Sequence, residues 1–123
     1  MKYMILIHHN PTIEATWQGF SDEERAEGWR MVNAFRDDLV ASGELIVTEA
    51  LTDPSQSRWV TVRDGQTSIG DGPFPEAKEF LAGFFLVEVD SLDRALERAA
   101  RIPEARFGMV EVRPVLELGG VEM

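Results

Sequence analysis

Two stretches of the chain are apolar at nearly every position, and the other elements are read around them. In Lys2 to His8 (KYMILIH), Tyr3, Ile5 and Ile7 alternate with Met4 and Leu6. In Leu81 to Val89 the set Leu81, Gly83, Phe85, Val87 and Val89 alternates with Ala82, Phe84, Leu86 and Glu88, of which only Glu88 is charged. Successive side chains on a strand point to opposite faces, so a strand apolar at both parities is a central strand covered on both sides. Both stretches are therefore predicted as neighbouring central strands. Glu44 to Leu51 and Arg58 to Arg63 alternate more regularly and are predicted as outer strands, with Asp64-Gly65 reversing into a short strand near Thr67 to Ile69. Phe107 to Pro114 is the last long strand, followed by a tail, Val115 to Met123, containing Gly119 and Gly120.

Helical periodicity shows twice. Ser21 and Glu24 form an S-x-x-E capping box before a helix over about 22 to 41. Its apolar positions Trp29, Val32, Phe35, Leu39 and Val40 recur at spacings of three and four, and Gly43 follows its end. A second helix starts from Asp90 or Ser91, places Leu92, Ala95, Leu96 and Ala99 on one stripe, and ends before Pro103. The segment around Asn10 and Pro11, with Trp17 and Phe20, reads as a loop, and the two aromatics as a lid, with a hydrophobic staple the simpler account of Phe20.

Strand, helix, strands, helix, strand is the ferredoxin-like split βαβ plan, an α+β fold with two helices on one face of an antiparallel sheet. Two helices cover one face only. The doubly apolar strands then call for a second layer, which a two-fold copy of the chain supplies, giving a homodimer closed sheet to sheet as a dimeric α+β barrel.

With 123 residues the chain makes one domain, 1–123, with a single core. A formal charge of −10, from 22 acidic against 12 basic residues, repels phosphate backbones and anionic headgroups and argues against nucleic-acid or membrane partners. The absence of cysteine excludes disulfides and thiolate metal sites. A strand starting at Lys2 and the lack of any run of about 20 apolar residues favour a cytoplasmic protein without a leader or a span.

The segment Asp71-Gly72-Pro73-Phe74, with Glu76, Lys78-Glu79 and Gly83 after it, resembles the YCII-related family and within it the subgroup marked by a DGPF loop. Val89-Asp90-Ser91-Leu92-Asp93, Ala100-Arg101-Ile102-Pro103, Glu111-Val112-Arg113-Pro114 and the opening KYMILI extend the resemblance over nearly the whole chain. It implies the ferredoxin-like fold and the dimeric barrel. Some YciI-like proteins are thought to use a His-Asp pair, the His on the first helix and the Asp just before a Pro after the second. Here the first position falls among Trp29, Arg30, Met31, Val32 and Asn33, and Ile102 precedes Pro103, so that mechanism does not transfer.

Candidate chemistry is sought on the face opposite the helices. If the helices cover Ile46, Val60, Val62, Val110 and Val112, the other face carries Glu49, Thr61, Arg63, Glu111 and Arg113 beside Leu45, Val47, Trp59 and Met109. Such charges either pair across strands and fix dimer register, or line a pocket with apolar walls. In the second case Arg63 or Arg113 binds a ligand carboxylate, and Glu49 or Glu111 acts as a base. His8 is the first choice for proton transfer, because an unperturbed imidazole titrates near neutrality. His8 and His9 point to opposite faces of a strand, which argues against a shared metal, and no cofactor is expected. Asp71, Phe74 and Lys78 line the pocket mouth or the subunit seam; in the structural reading Asp71 accepts turn amides, Pro73 and Pro75 stiffen the approach to the central strand, and Phe74 anchors packing. The expected function is a dimeric protein that binds a small, carboxylated ligand between the sheets. The alternatives are a lyase or isomerase acting by proton abstraction, and a structural dimer.

Overall fold

A computed structural model describes residues 1–71 and 78–116. Its elements are β1 (Lys2–His9), α1 (Pro11–Gln18), α2 (Asp22–Ala41), β2 (Leu45–Ala50), β3 (Arg58–Arg63), β4 (Gln66–Asp71), β5 (Phe80–Glu88), α3 (Leu92–Ala99) and β6 (Val110–Pro114). A four-stranded sheet has the order β2-β5-β1-β6, with every neighbouring pair antiparallel. The units β1-α2-β2 and β5-α3-β6 each straddle a strand of the other, which is the expected split βαβ plan. The two doubly apolar strands are the central pair, in register from Lys2 opposite Glu88 to Ile7 opposite Gly83.

The core lies on the helical side. Ile5, Leu39 and Val87 are fully buried, with Tyr3, Phe35, Phe85, Val89, Ala95, Ala99 and Ile102 around them. Phe35 of α2 meets Phe85 of β5 edge to face, with centroids 5.1 Å apart. Helix α2 has its capping box as expected, Ser21 and Glu24 exchanging side-chain to backbone bonds. Gly83 permits a close approach: a Cβ there would lie 3.0 Å from the Glu49 carbonyl oxygen of β2.

The structure differs from the sequence expectation in several places. Asn10 and Pro11 start a helix, not a loop: Asn10 Oδ1 accepts from the Ile13 amide (2.9 Å), and Pro11 occupies the first turn, where its missing N–H costs nothing. Trp17 therefore belongs to α1 and packs edge-on against Trp29 of α2, 6.1 Å between centroids. Of the predicted α2 stripe only Phe35 and Leu39 are buried, while Trp29 and Val40 are exposed. On α3 the buried stripe is Ala95, Arg98 and Ala99, with Leu92 and Leu96 outside; small residues let the helix sit close to the sheet. The last strand begins at Val110 rather than Phe107, since Pro103–Phe107 form a 3-10 turn ended by Gly108 at φ 69°.

A further difference bears on function. β3 and β4 do not extend the sheet but form a separate hairpin, exposed along both strands, so Thr61 and Arg63 leave the face assigned to them. A register shift at Ile46 also turns Leu45 toward the core, and Met109 is buried.

Candidate functional site

Strand β1 ends in two histidines, and its alternation sends them to opposite sides of the sheet, as the pattern predicted. His8 lies on the side away from the core, in the row with Met4 and Leu6. Its partner comes from β6: His8 Nε2 donates to Glu111 Oε1 at 3.1 Å. Glu111 Oε2 accepts from Arg113 Nε at 2.9 Å and from a terminal guanidinium nitrogen as well. Glu111 faces Leu6 and Arg113 faces Met4 in the β1–β6 register, so all three polar groups rise from one face. The guanidinium of Arg113 first, and the His8 bond second, hold the Glu111 carboxyl below its ordinary range. Because Nε2 carries the proton toward Glu111, the free acceptor of a neutral His8 is Nδ1.

The remaining predicted site residues do not converge there. Glu49 is on the same face, opposite Phe84, but on edge strand β2, with β5 between it and β1, roughly 10 Å from the His8 row. Arg63 sits at the hairpin end, opposite Gln66. Asp71 closes the other end of the hairpin in an exposed ion pair with Arg58, 3.3 Å. Lys78 is exposed just before β5, and Phe74 lies outside the described residues.

His9, weighed from the sequence only as a metal ligand beside His8, is the more tightly held of the two. It points to the helical side, where Nδ1 meets Glu14 Oε1 of α1 and Nε2 meets Glu104 Oε2 of the 3-10 turn, both at 3.0 Å. A neutral imidazole donates from one nitrogen only, so satisfying both carboxylates requires the imidazolium. The Glu104 bond first, then Glu14, raise the His9 pKa above 6.5 against the opposing effect of burial. The Phe80 ring stands edge-on to the imidazole, 6.1 Å away. Glu14, five residues on, was a visible signal; Glu104, brought in by the fold, was not.

Beside His9 lies a cleft of about 210 Å³, lined by Glu14, Trp29, Leu51, Thr52, Asp53 and Phe80 among others. Asp53 accepts from the Ser55 amide, which lowers its pKa. A larger open hollow of about 420 Å³ near Gly43 and Asp90 has a structural explanation. There Glu44 accepts from Arg94 (2.9 Å), Arg98 (2.7 Å) and Ser42 (2.7 Å), which ties α3 to the start of β2. No group of three or more His, Asp or Glu suited to a metal ion occurs among the described residues, nor any helix long and apolar enough to cross a membrane.

The chain shares 32% identity over 117 residues with an uncharacterized protein of Rhizobium meliloti (strain 1021), an alignment covering 94% of this chain and 92% of that one. The YCII-related domain model matches residues 1–119, and the chain belongs to that family.

Proposed function

We propose that the protein works as a two-fold dimer closed sheet face to sheet face, with a small-molecule site between the sheets at His8, Glu111 and Arg113. The observation that carries this reading is the outer face of the sheet. Met4, Leu6, Phe84 and Leu86 form an apolar field there that is only half-buried, while the core cluster lies wholly on the other side. The β3–β4 hairpin points the same way: Val60, Val62 and Ile69 share one of its faces and are each more than 60% exposed. A two-stranded ribbon is marginal alone in water, and an apolar face on it calls for a covering surface. The DGPF motif of the sequence supports the same dimeric reading.

Within such an interface Arg113 keeps donors beyond those bound to Glu111, and it is 65% exposed, so a ligand carboxylate has a cation to meet. The His8–Glu111 bond favours a second reading, proton abstraction from a small carboxylated substrate. Glu111 fixes the tautomer and leaves Nδ1 as the base.

Light scattering tests the assembly. The expected mass is twice 13.8 kDa, and Leu6→Glu, which buries a charge in the seam, should give monomers. A wild-type monomer sinks the proposal. Thermal shift with small carboxylates then tests the site: a ligand that binds the folded state stabilises it, and Arg113→Ala should remove that stabilisation.

A further inference from the structure

The cleft beside His9 lies on the helical side of the sheet, so it is independent of the interface proposed above. We propose that it is a binding site for a small organic cation, a protonated amine with an apolar or aromatic body, the ammonium seated between Glu14 and Asp53 and the body against Trp29 and Phe80. Its residues come from five parts of the fold: His9 from β1, Glu14 from α1, Trp29 from α2, Asp53 from the segment after β2, and Phe80 from the start of β5.

Charge decides the sign of the ligand. Two carboxylates, Glu14 and Asp53, line the cleft, a third, Glu104, stands behind His9, and neither lysine nor arginine is among the described residues that line it. Among the described residues lining the cleft the one cationic group is His9, and both of its N–H groups are already directed at carboxylates. An anionic guest would thus find no free cationic donor and three negative neighbours. A cation finds attraction, and Glu14 and Asp53 each have oxygen lone pairs beyond those engaged by His9 and Ser55.

Shape and apolarity decide the rest. About 210 Å³ is the space of roughly seven waters, enough for a compact amine and too little for a nucleotide. Trp29 is 55% exposed and is braced from behind by Trp17, while Phe80 is held against the His9 ring. Gly28 makes that brace possible, since a Cβ there would come within 3.1 Å of the Trp17 ring. Aromatic walls beside fixed carboxylates attract an ammonium through both the ring quadrupole and the charge.

The test is a titration followed by two-dimensional NMR, with phenethylamine and cyclohexylamine as amines and 3-phenylpropanoate and 2-phenylethanol as anionic and neutral counterparts. Saturable shifts are expected for the amines at residues 50–53 and 80–82 and at the Trp29 indole, with little response to the other two. Glu14→Gln combined with Asp53→Asn, which keeps the side-chain oxygen that accepts from Ser55, should weaken amine binding at least about fivefold. The proposal is overturned if neither amine gives saturable shifts up to about 10 mM, a generous limit for a weak site. It is equally overturned if 3-phenylpropanoate binds as well as phenethylamine, or if the double variant binds amines unchanged.

Discussion

The two faces of the four-stranded sheet are built from alternate residues of the same strands, and they differ in what finishes them. On the helical face Ile5 and Val87 lose all contact with solvent, because α2 and α3 lay Phe35, Leu39, Ala95 and Ala99 over them. On the outer face their neighbours Leu6 and Leu86 are as apolar in chemistry but only half-buried. Each face also ends in a histidine held by glutamate: His9 by two on the closed side, His8 by one on the open side. On the proposed dimeric reading, hydrophobicity along a strand reports how many layers cover the sheet, whereas burial within one chain reports how many that chain supplies.

The largest expected effect separates the faces by stability. Leu39→Ala removes a fully buried side chain from a packed core and should cost about 2–5 kcal/mol in denaturant unfolding. Leu6→Ala, on the open face, should cost clearly less at protein concentrations low enough to dissociate any assembly, and more as concentration rises. Equal, concentration-independent losses for the two variants would erase the distinction between a finished and an unfinished face.

Most of this contrast was legible in the sequence, and the misses have physical causes. The doubly apolar alternation of β1 and β5 placed them at the centre, and the capping box placed α2 at residues 22–41, where it lies. Alternation in Arg58 to Arg63 reports a strand but not which sheet it joins, so the hairpin was assigned to the main sheet. Asn10-Pro11 was read as loop punctuation although the same pair is a helix start, an N-cap followed by proline in the first turn. Leu92 and Leu96 outrank Ala95 and Ala99 in hydrophobicity, yet closeness to the sheet, not apolar size, chose the buried stripe of α3. Glu104 lies 95 residues from His9, and Arg94 and Arg98 lie 50 and 54 from Glu44, beyond the reach of any local pattern.

A smaller effect is electrostatic and belongs to the closed side. Hydrogen bonds from Arg94 first, with Ser42 and Arg98, hold the Glu44 carboxyl at about 2, down from 4.5. The unfolded chain takes up that proton first. The group therefore stabilises the fold fully above pH 4.5 and loses this contribution as pH falls toward 2. Arg94 is 36% exposed, so solvent screening reduces the contribution to about 1–2 kcal/mol. Glu44→Gln should lower stability at neutral pH and flatten the acid limb between those two values; an unchanged acid limb would mean that other carboxylates govern it.

The finest comparison sets the two histidines against each other at the alkaline end. His9 is faced by Glu14 from α1, Glu104 from the 3-10 turn and the Phe80 ring from β5, and its pKa is raised above 6.5 by the two carboxylates, Glu104 the stronger. Folding then binds a proton that the unfolded chain has released. Below pH 6.5 both states are protonated and the stabilisation is complete; as pH rises through the folded value the imidazolium is lost and the stabilisation with it. Wild-type stability should therefore slope downward from near neutrality into the alkaline range. His9→Gln, which still offers a donor to one carboxylate but no charge, should lose that slope, and His8→Gln, on the other face, should retain it. If His9→Gln keeps the slope, the two carboxylates do not hold the closed-side histidine in its charged form.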